Sequence, residues 1–288
     1  MRTRAFLALP VMLLAVAVTP LAAAAWDPGV AALQVGLHTR GLYAGPIDGI
    51  TGPATQKAIR KLQAHARIAV DGVVGPKTRR ALGHFARHRL GQRPLHIGNA
   101  GWDVASLQFQ LAEHGFPSGS FDGIFGPHID AAVRRFQEYA GLKTDGVAGP
   151  ATLKALGKPP AAIPLPLAWP LTVHVIGDRF GPRGERWHAG IDLPAPLGTP
   201  VYSARAGEVV WAGWRGDYGF LVTVAHGHGE RSMYAHLSRM DVRVGVWIGA
   251  GVRVGLIGAT GDATGPHLHF EVRVHGAAVD PLRALPSL

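Results

Sequence analysis

Two hydrophobic periods divide the chain. Up to residue 157, apolar side chains recur at steps of three and four. Ala58, Ile59, Leu62 and Ala66 do so, and so do Ala132, Val133, Phe136 and Ala140. That is the period of a helix with one buried face. Similar patterns predict helices over 30–38 and 104–114, and short ones over 78–82 and 152–156. Beyond residue 170 the period changes. Runs at 201–203, 209–211, 221–225, 252–257 and 268–274 are short, β-rich and bounded by glycine. They predict antiparallel strands joined by tight turns.

The helical half is a duplication. Residues 30–83 align with 104–157 at a constant offset of 74, with 25 of 54 positions identical by direct count. Each copy carries the phrase D-G-x-x-G-P twice, at 48–53 and 71–76, then at 122–127 and 145–150. Asp bonds its own backbone in a turn, Gly admits positive φ, and Pro suits the first turn of a helix. Each copy therefore reads as a compact three-helix unit. The copies differ at Ile129, where the first has Thr55.

The expected architecture is multidomain: two small three-helix all-α repeats, at 26–90 and 98–157, followed by an antiparallel all-β domain at 171–288. Residues 158–170, KPPAAIPLPLAWP, predict a stiff, extended linker. The first 25 residues read as a secretory signal peptide. Arg2 and Arg4 precede a 14-residue apolar run at 5–18 and the small residues Ala22 to Ala25. That run is shorter than the ~20 residues a membrane span needs. The mature protein is thus expected to be secreted, without stable membrane insertion, and monomeric.

Composition narrows the chemistry. With no cysteine, disulfides, thiolate zinc sites and cysteine nucleophiles are excluded, whereas 15 histidines supply metal ligands. The formal charge of +10 favours a polyanionic partner. Basic residues are densest over 77–93, but no block with interleaved aromatics supports a nucleic-acid surface.

The candidate chemistry sits in the β half. His188 and Asp192 lie four apart with Gly190 between them, a loop entering a strand. His267, His269 and Glu271 share one face of the next candidate strand, and His236 falls at a strand end. Catalytic zinc takes three N or O ligands and keeps one open position; four His and one Asp supply three ligands and two further bases. Glu271 either orients a ligand His or is a solvated strand residue. Among other candidates, His226 and His228 read as an exposed turn and His84 and His88 as a solvated helix face. His174 and His275 read as structural, and Trp211, Trp214 and Trp247 as core.

The repeated D-G-x-x-G-P-x-T phrase, which stands for example at 71–78 and 145–152, resembles the bacterial peptidoglycan-binding domain, which implies attachment to cell wall. The segments R-F-G at 179–181, H-A-G-I-D at 188–192, Y-A-H-L at 234–237 and G-P-H-L-H-F-E at 265–271 resemble the lysostaphin/LytM-type zinc endopeptidases of peptidoglycan. That resemblance implies a metallopeptidase domain with one Zn2+ per chain on His188, Asp192 and His269. It makes His236 and His267 the catalytic histidines, sharing the roles of base and oxyanion partner. Ala225 and Ala263 stand where many members carry a polar residue, which bears on substrate preference. The expected function is a secreted wall hydrolase; the alternative is a non-catalytic wall-binding protein or an activator of another hydrolase.

Overall fold

The computed structural model describes residues 26–163, 166–173 and 175–287. The expected leader and His174 lie outside the described residues. The first copy contains α1 (Pro28–His38), α2 (Pro53–His65) and α3 (Pro76–Ala81); the second contains α4 (Trp102–Glu113), α5 (Pro127–Tyr139) and α6 (Pro150–Leu156). In α2, α3, α5 and α6 the proline of the repeated phrase opens the helix, after a glycine in extended conformation. Asp27 caps α1 by accepting the Gly29 and Val30 amides at 2.6 and 3.0 Å.

A buried glutamine fastens each turn to a helix. Gln137 Oε1 accepts the Gly146 amide at 2.9 Å. Its Nε2 donates to Asp145 Oδ1 (2.9 Å), the Val147 carbonyl (3.0 Å) and Thr152 Oγ1 (3.2 Å). Gln63 makes the same set with Gly72, Asp71, Val73 and Thr78, and Gln34 clamps Asp48, Gly49, Ile50 and Thr55. At the fourth clamp Ile129 replaces the threonine, and Gln108 donates to the Ser120 carbonyl instead, at 2.9 Å. Gln137→Ala strands a buried amide and carbonyl at about 1–3 kcal/mol each. Faster hydrogen exchange at Gly146 is the expected result; unchanged protection would show the clamp to be dispensable. The Val147 amide, and then Gln137, hold the Asp145 carboxyl below its ordinary value. This contribution is present above the unfolded value of about 3.9 and is lost as the pH falls through the native one.

The β half has a hairpin, β1 (Gly181–Arg183) and β2 (Arg186–His188), and a nine-stranded antiparallel sheet. The sheet comprises β3 (Ile191–Pro194), β4 (Pro200–Tyr202), β5 (Gly207–Trp214), β6 (Phe220–Gly227), β7 (Glu230–Met240), β8 (Trp247–Ile248), β9 (Arg253–Ile257), β10 (His267–Val274) and β11 (Ala277–Val279). Its main path runs β11-β10-β7-β6-β5-β8; β3 also pairs with β10, and β9 joins β4 to β7. Tyr234, Phe270, Leu268, Ile191 and Val222 are fully buried in its core. No helix among the described residues is long and apolar enough to cross a membrane.

The halves are packed together rather than strung apart. The Pro-rich segment runs along the β unit: Leu167 and Leu171 are buried in its core, and the Leu167 amide donates to the Ala284 carbonyl at 2.9 Å. Helix α1 packs on α4, so one apolar cluster contains Leu33 and Leu37 of the first copy with Trp102, Phe109 and Phe121 of the second. Trp187 of β2 enters the same cluster, edge-on to Trp26, Phe109 and Phe180 at centroid distances of 4.8, 5.6 and 5.6 Å. The hairpin tip is gripped on both sides. Ile47 of the first copy donates its amide to the Gly184 carbonyl, and Phe121 of the second to the Glu185 carbonyl, each at 2.8 Å. His38 meets the Glu185 carboxylate at 3.0 Å.

Some readings of single residues are corrected. Trp211, Trp214 and Trp247 are exposed, not core. Trp247 sits on a two-residue strand pairing with β5 alone, and a bulge between Val209 and Trp211 breaks the alternation of β5. His226 is buried within β6, where it bonds the Ala206 carbonyl and Ser232 Oγ at 3.0 and 2.8 Å. His275 is exposed at the β10–β11 turn.

Candidate metal centre

Three strands bring the site together. In the pairing of β3 with β10, Asp192 stands opposite His269, so a carboxylate and an imidazole meet across two strands. Strand β2 enters β3 through Ala189-Gly190, which turns His188 onto the same spot. Gly190 is required there, because a Cβ would lie 2.4 Å from the Phe270 carbonyl oxygen. Each of these sequence-predicted residues is buried.

The donor atoms form a small triangle. His188 Nε2 lies 3.1 Å from Asp192 Oδ1 and 3.0 Å from His269 Nδ1; His269 Nδ1 lies 2.8 Å from Asp192 Oδ1. The outer ring nitrogens are committed elsewhere. His188 Nδ1 donates to the Arg179 carbonyl at 2.9 Å, and His269 Nε2 donates to Glu271 Oε1 at 3.1 Å. The inner nitrogens are thereby aimed at the carboxylate. A tetrahedral ion bonded at 2.0–2.2 Å has ligand–ligand edges of about 3.3–3.6 Å, so each edge of the triangle needs to open by less than about 1 Å to accept one. Among the described residues this is the group whose ligand atoms converge for a metal. With two imidazoles, one carboxylate and no thiolate, the set suits zinc.

The electrostatics favour positive charge here. Burial would raise the Asp192 carboxyl, but His188 and His269 hold it well below its ordinary range. Burial would lower His269, yet its bonds to Asp192 and Glu271 push it up to about 9. Glu271 is 1% exposed and so is no solvated strand residue. Against the effect of burial, Arg273 and then His269 bring it down to about 2, and Tyr218 Oη donates to its Oε1 at 2.7 Å. Glu271 thus anchors the His269 imidazole. Arg183 Nη1 does likewise for the second oxygen of Asp192, at 3.0 Å. Arg183, Tyr218 and Arg273 escaped the sequence reading because nothing in their local pattern marks them.

His236 and His267 complete the cluster, with ring centroids 4.7 Å apart. Each donates Nδ1 to a carbonyl, His236 to Thr260 (2.8 Å) and His267 to Gly265 (2.9 Å), leaving Nε2 uncommitted. His267 Nε2 is 3.7 Å from Asp192 Oδ1. Burial pushes His236 down to about 4. Rather than ending a strand, His236 lies within β7 at φ 60°, in the left-handed region, where the register with β6 and β9 shifts. Such a conformation is costly for a residue other than glycine and is common at functional sites. A groove of about 570 Å³ opens over the centre, with Asp178, Arg183, Asp192, Asp262, Thr264 and His267 in its wall.

Comparison with known proteins matches both halves. The model of peptidase family M23 matches residues 186–281, and that of a peptidoglycan binding domain matches 27–82 and 101–156. The DD-carboxypeptidase/endopeptidase Mpg of Neisseria meningitidis is 40% identical over 125 residues, covering 42% of this chain and 29% of that protein. The peptidoglycan DD-endopeptidase ShyA of Vibrio cholerae is 38% identical over 115 residues, covering 40% of this chain and 26% of that protein. The chain thus spans less than a third of either relative. The solved catalytic domain of lysostaphin from Staphylococcus simulans is 34% identical, covering 38% of this chain and 90% of that one, with a TM-score of 0.36. Residues 186–281 belong to peptidase family M23, and the two helical repeats before them belong to the peptidoglycan binding domain family.

Proposed function

We propose that the protein is a zinc metalloendopeptidase that hydrolyses peptide bonds in peptidoglycan cross-links or stem peptides and is anchored to the wall by its repeats. The observation that carries this reading is the triangle of His188, Asp192 and His269 beside two histidines whose Nδ1 atoms are held by carbonyls and whose Nε2 atoms make no hydrogen bond among the described residues. The names of the relatives point to the same substrate class. The expected leader at residues 1–25 and the proposed substrate both support a position at the cell envelope.

His188, Asp192 and His269 would hold the ion. Bound zinc supplies Lewis acidity, which polarises a carbonyl and acidifies water. The protein's own groups handle the protons. In hydrolysis water adds to the carbonyl carbon, the C–N bond breaks and one proton passes to the leaving amine. His236 and His267 divide two tasks: one accepts the proton at Nε2 and returns it to the amine, and the other hydrogen-bonds the developing oxyanion. Glu271 and Arg183 keep His269 and Asp192 in place meanwhile.

A non-catalytic activator would not need all five residues, and their convergence, with His188, Asp192 and His269 at 2.8–3.1 Å from one another, favours the enzyme. The test is incubation of the full-length mature protein with defined cross-linked and linear wall peptides, with chelator and after zinc is restored, and products read by mass spectrometry. Cleavage that chelator abolishes and zinc restores is expected. Intact substrate with a zinc-loaded protein would overturn the proposal and leave the activator.

A further inference from the structure

A second concave site lies on the first repeat, around α3 and the short 3-10 turn Gly83–Ala86. It encloses about 490 Å³, and its wall holds Arg79, Arg80, His84, Arg87 and Arg89 with no carboxylate among the lining residues. None of the four arginines makes an ion pair with a carboxylate among the described residues; the paired arginines are Arg93, Arg134, Arg183, Arg205, Arg239, Arg253 and Arg273. The Arg79 guanidinium lies over the Trp102 ring, 5.0 Å from its centroid, which fixes one cation at the floor. Burial and then repulsion from Arg89 lower the Arg79 value. The second copy lacks the device. At the same offset, Leu153 and Lys154 stand for Arg79 and Arg80, and Leu153 packs against the apolar core of its own repeat.

We propose that this cup binds phosphate groups of a phosphodiester-linked polymer, giving the first repeat a ligand that the second does not share. Guanidinium groups on several sides of one cavity suit a tetrahedral phosphate, whose oxygens point in several directions. A planar carboxylate is satisfied by one guanidinium fork. Nucleic acid is the weaker occupant, because single strands bind by stacking bases on aromatic faces, and the Trp102 face here is covered by Arg79. The apolar side chains in the wall are the small ones of Pro76 and Ala86, a poor hold on a lipid surface.

The test is calorimetric titration of the full-length mature protein with a soluble poly(glycerol phosphate) oligomer. Poly-glutamate of equal charge and a single-stranded DNA oligonucleotide are run beside it. The wild-type protein should prefer the phosphate oligomer. Arg80→Gln, Arg87→Gln and Arg89→Gln together should weaken that binding at least about tenfold and flatten its log–log salt dependence, since each phosphate contact on a flexible strand contributes about 0.7 to the slope. These side chains are exposed and unpaired, so the fold and the cleavage of soluble peptide should be unchanged. Arg79→Leu, the residue of the second copy, should weaken binding in the same direction. Equal binding of poly-glutamate, tighter binding of DNA, or undiminished affinity in the triple variant would each overturn the proposal. The readout is binding, so it stands or falls apart from the peptidase activity.

Discussion

His236→Ala should keep about one zinc per chain and still lose roughly 10²–10⁴ in turnover, the usual worth of a positioned acid or base. The reason is geometric. The His236 ring lies 5.8 Å from that of His269 and spends its Nδ1 on the Thr260 carbonyl, and it belongs to no edge of the ligand triangle. Removing it takes away a proton carrier and leaves the three ligand atoms where they were. His236→Asn should behave alike, because asparagine tolerates positive φ; matching losses would show that the side chain, not the strained backbone, is responsible. Elemental analysis gives the metal content, and turnover on a cross-linked wall peptide gives the rate. A zinc-free or fully active His236→Ala protein would break this division of roles.

His269→Ala should lose zinc and activity together, with turnover falling to background. This imidazole links Asp192 on one side to Glu271 on the other. Without it the triangle has two corners, and Glu271 keeps only Arg273 and Tyr218 as partners. The fold should survive, because the β core is built from apolar residues such as Tyr234, Phe270 and Leu268. Glu271→Gln gives the graded control: it keeps the volume and weakens the anchor, which typically costs 10–100-fold in metal affinity. Circular dichroism and zinc titration separate the outcomes. Full zinc occupancy in His269→Ala would remove this residue from the ligand set.

What the sequence disclosed and what it hid follow one physical line. Features carried by local backbone chemistry were legible: the D-G-x-x-G-P turns and the helices they open, and the period-2 run that puts His267 and His269 on one face. Features that depend on which strands become neighbours were not. Arg183 reaches the centre only after β1 meets β3, and Tyr218 only after the β5–β6 turn meets β10. The exposure of Trp211 reflects a bulge, and that of Trp247 an edge strand. The four glutamines recur at matched positions in both copies, yet a polar residue on a helix reads as solvated until a turn folds over it.

The hairpin wedged between the repeats has a mechanical consequence. An enzyme on a slack tether explores every bond within the tether's reach, at an effective concentration set by tether length. Here the hairpin bearing His188 is braced at its tip by Ile47 and Phe121, one from each repeat, and the intervening chain lies against the β unit. On the proposed function, holdfast and blade share one frame and would work like a calliper with a locked gap. Cuts should fall at a constant stand-off from the strand being held, and wall digested to completion should release fragments of stepped rather than continuous size. Lengthening the Pro-rich segment should leave those steps unmoved, because the brace sets the distance.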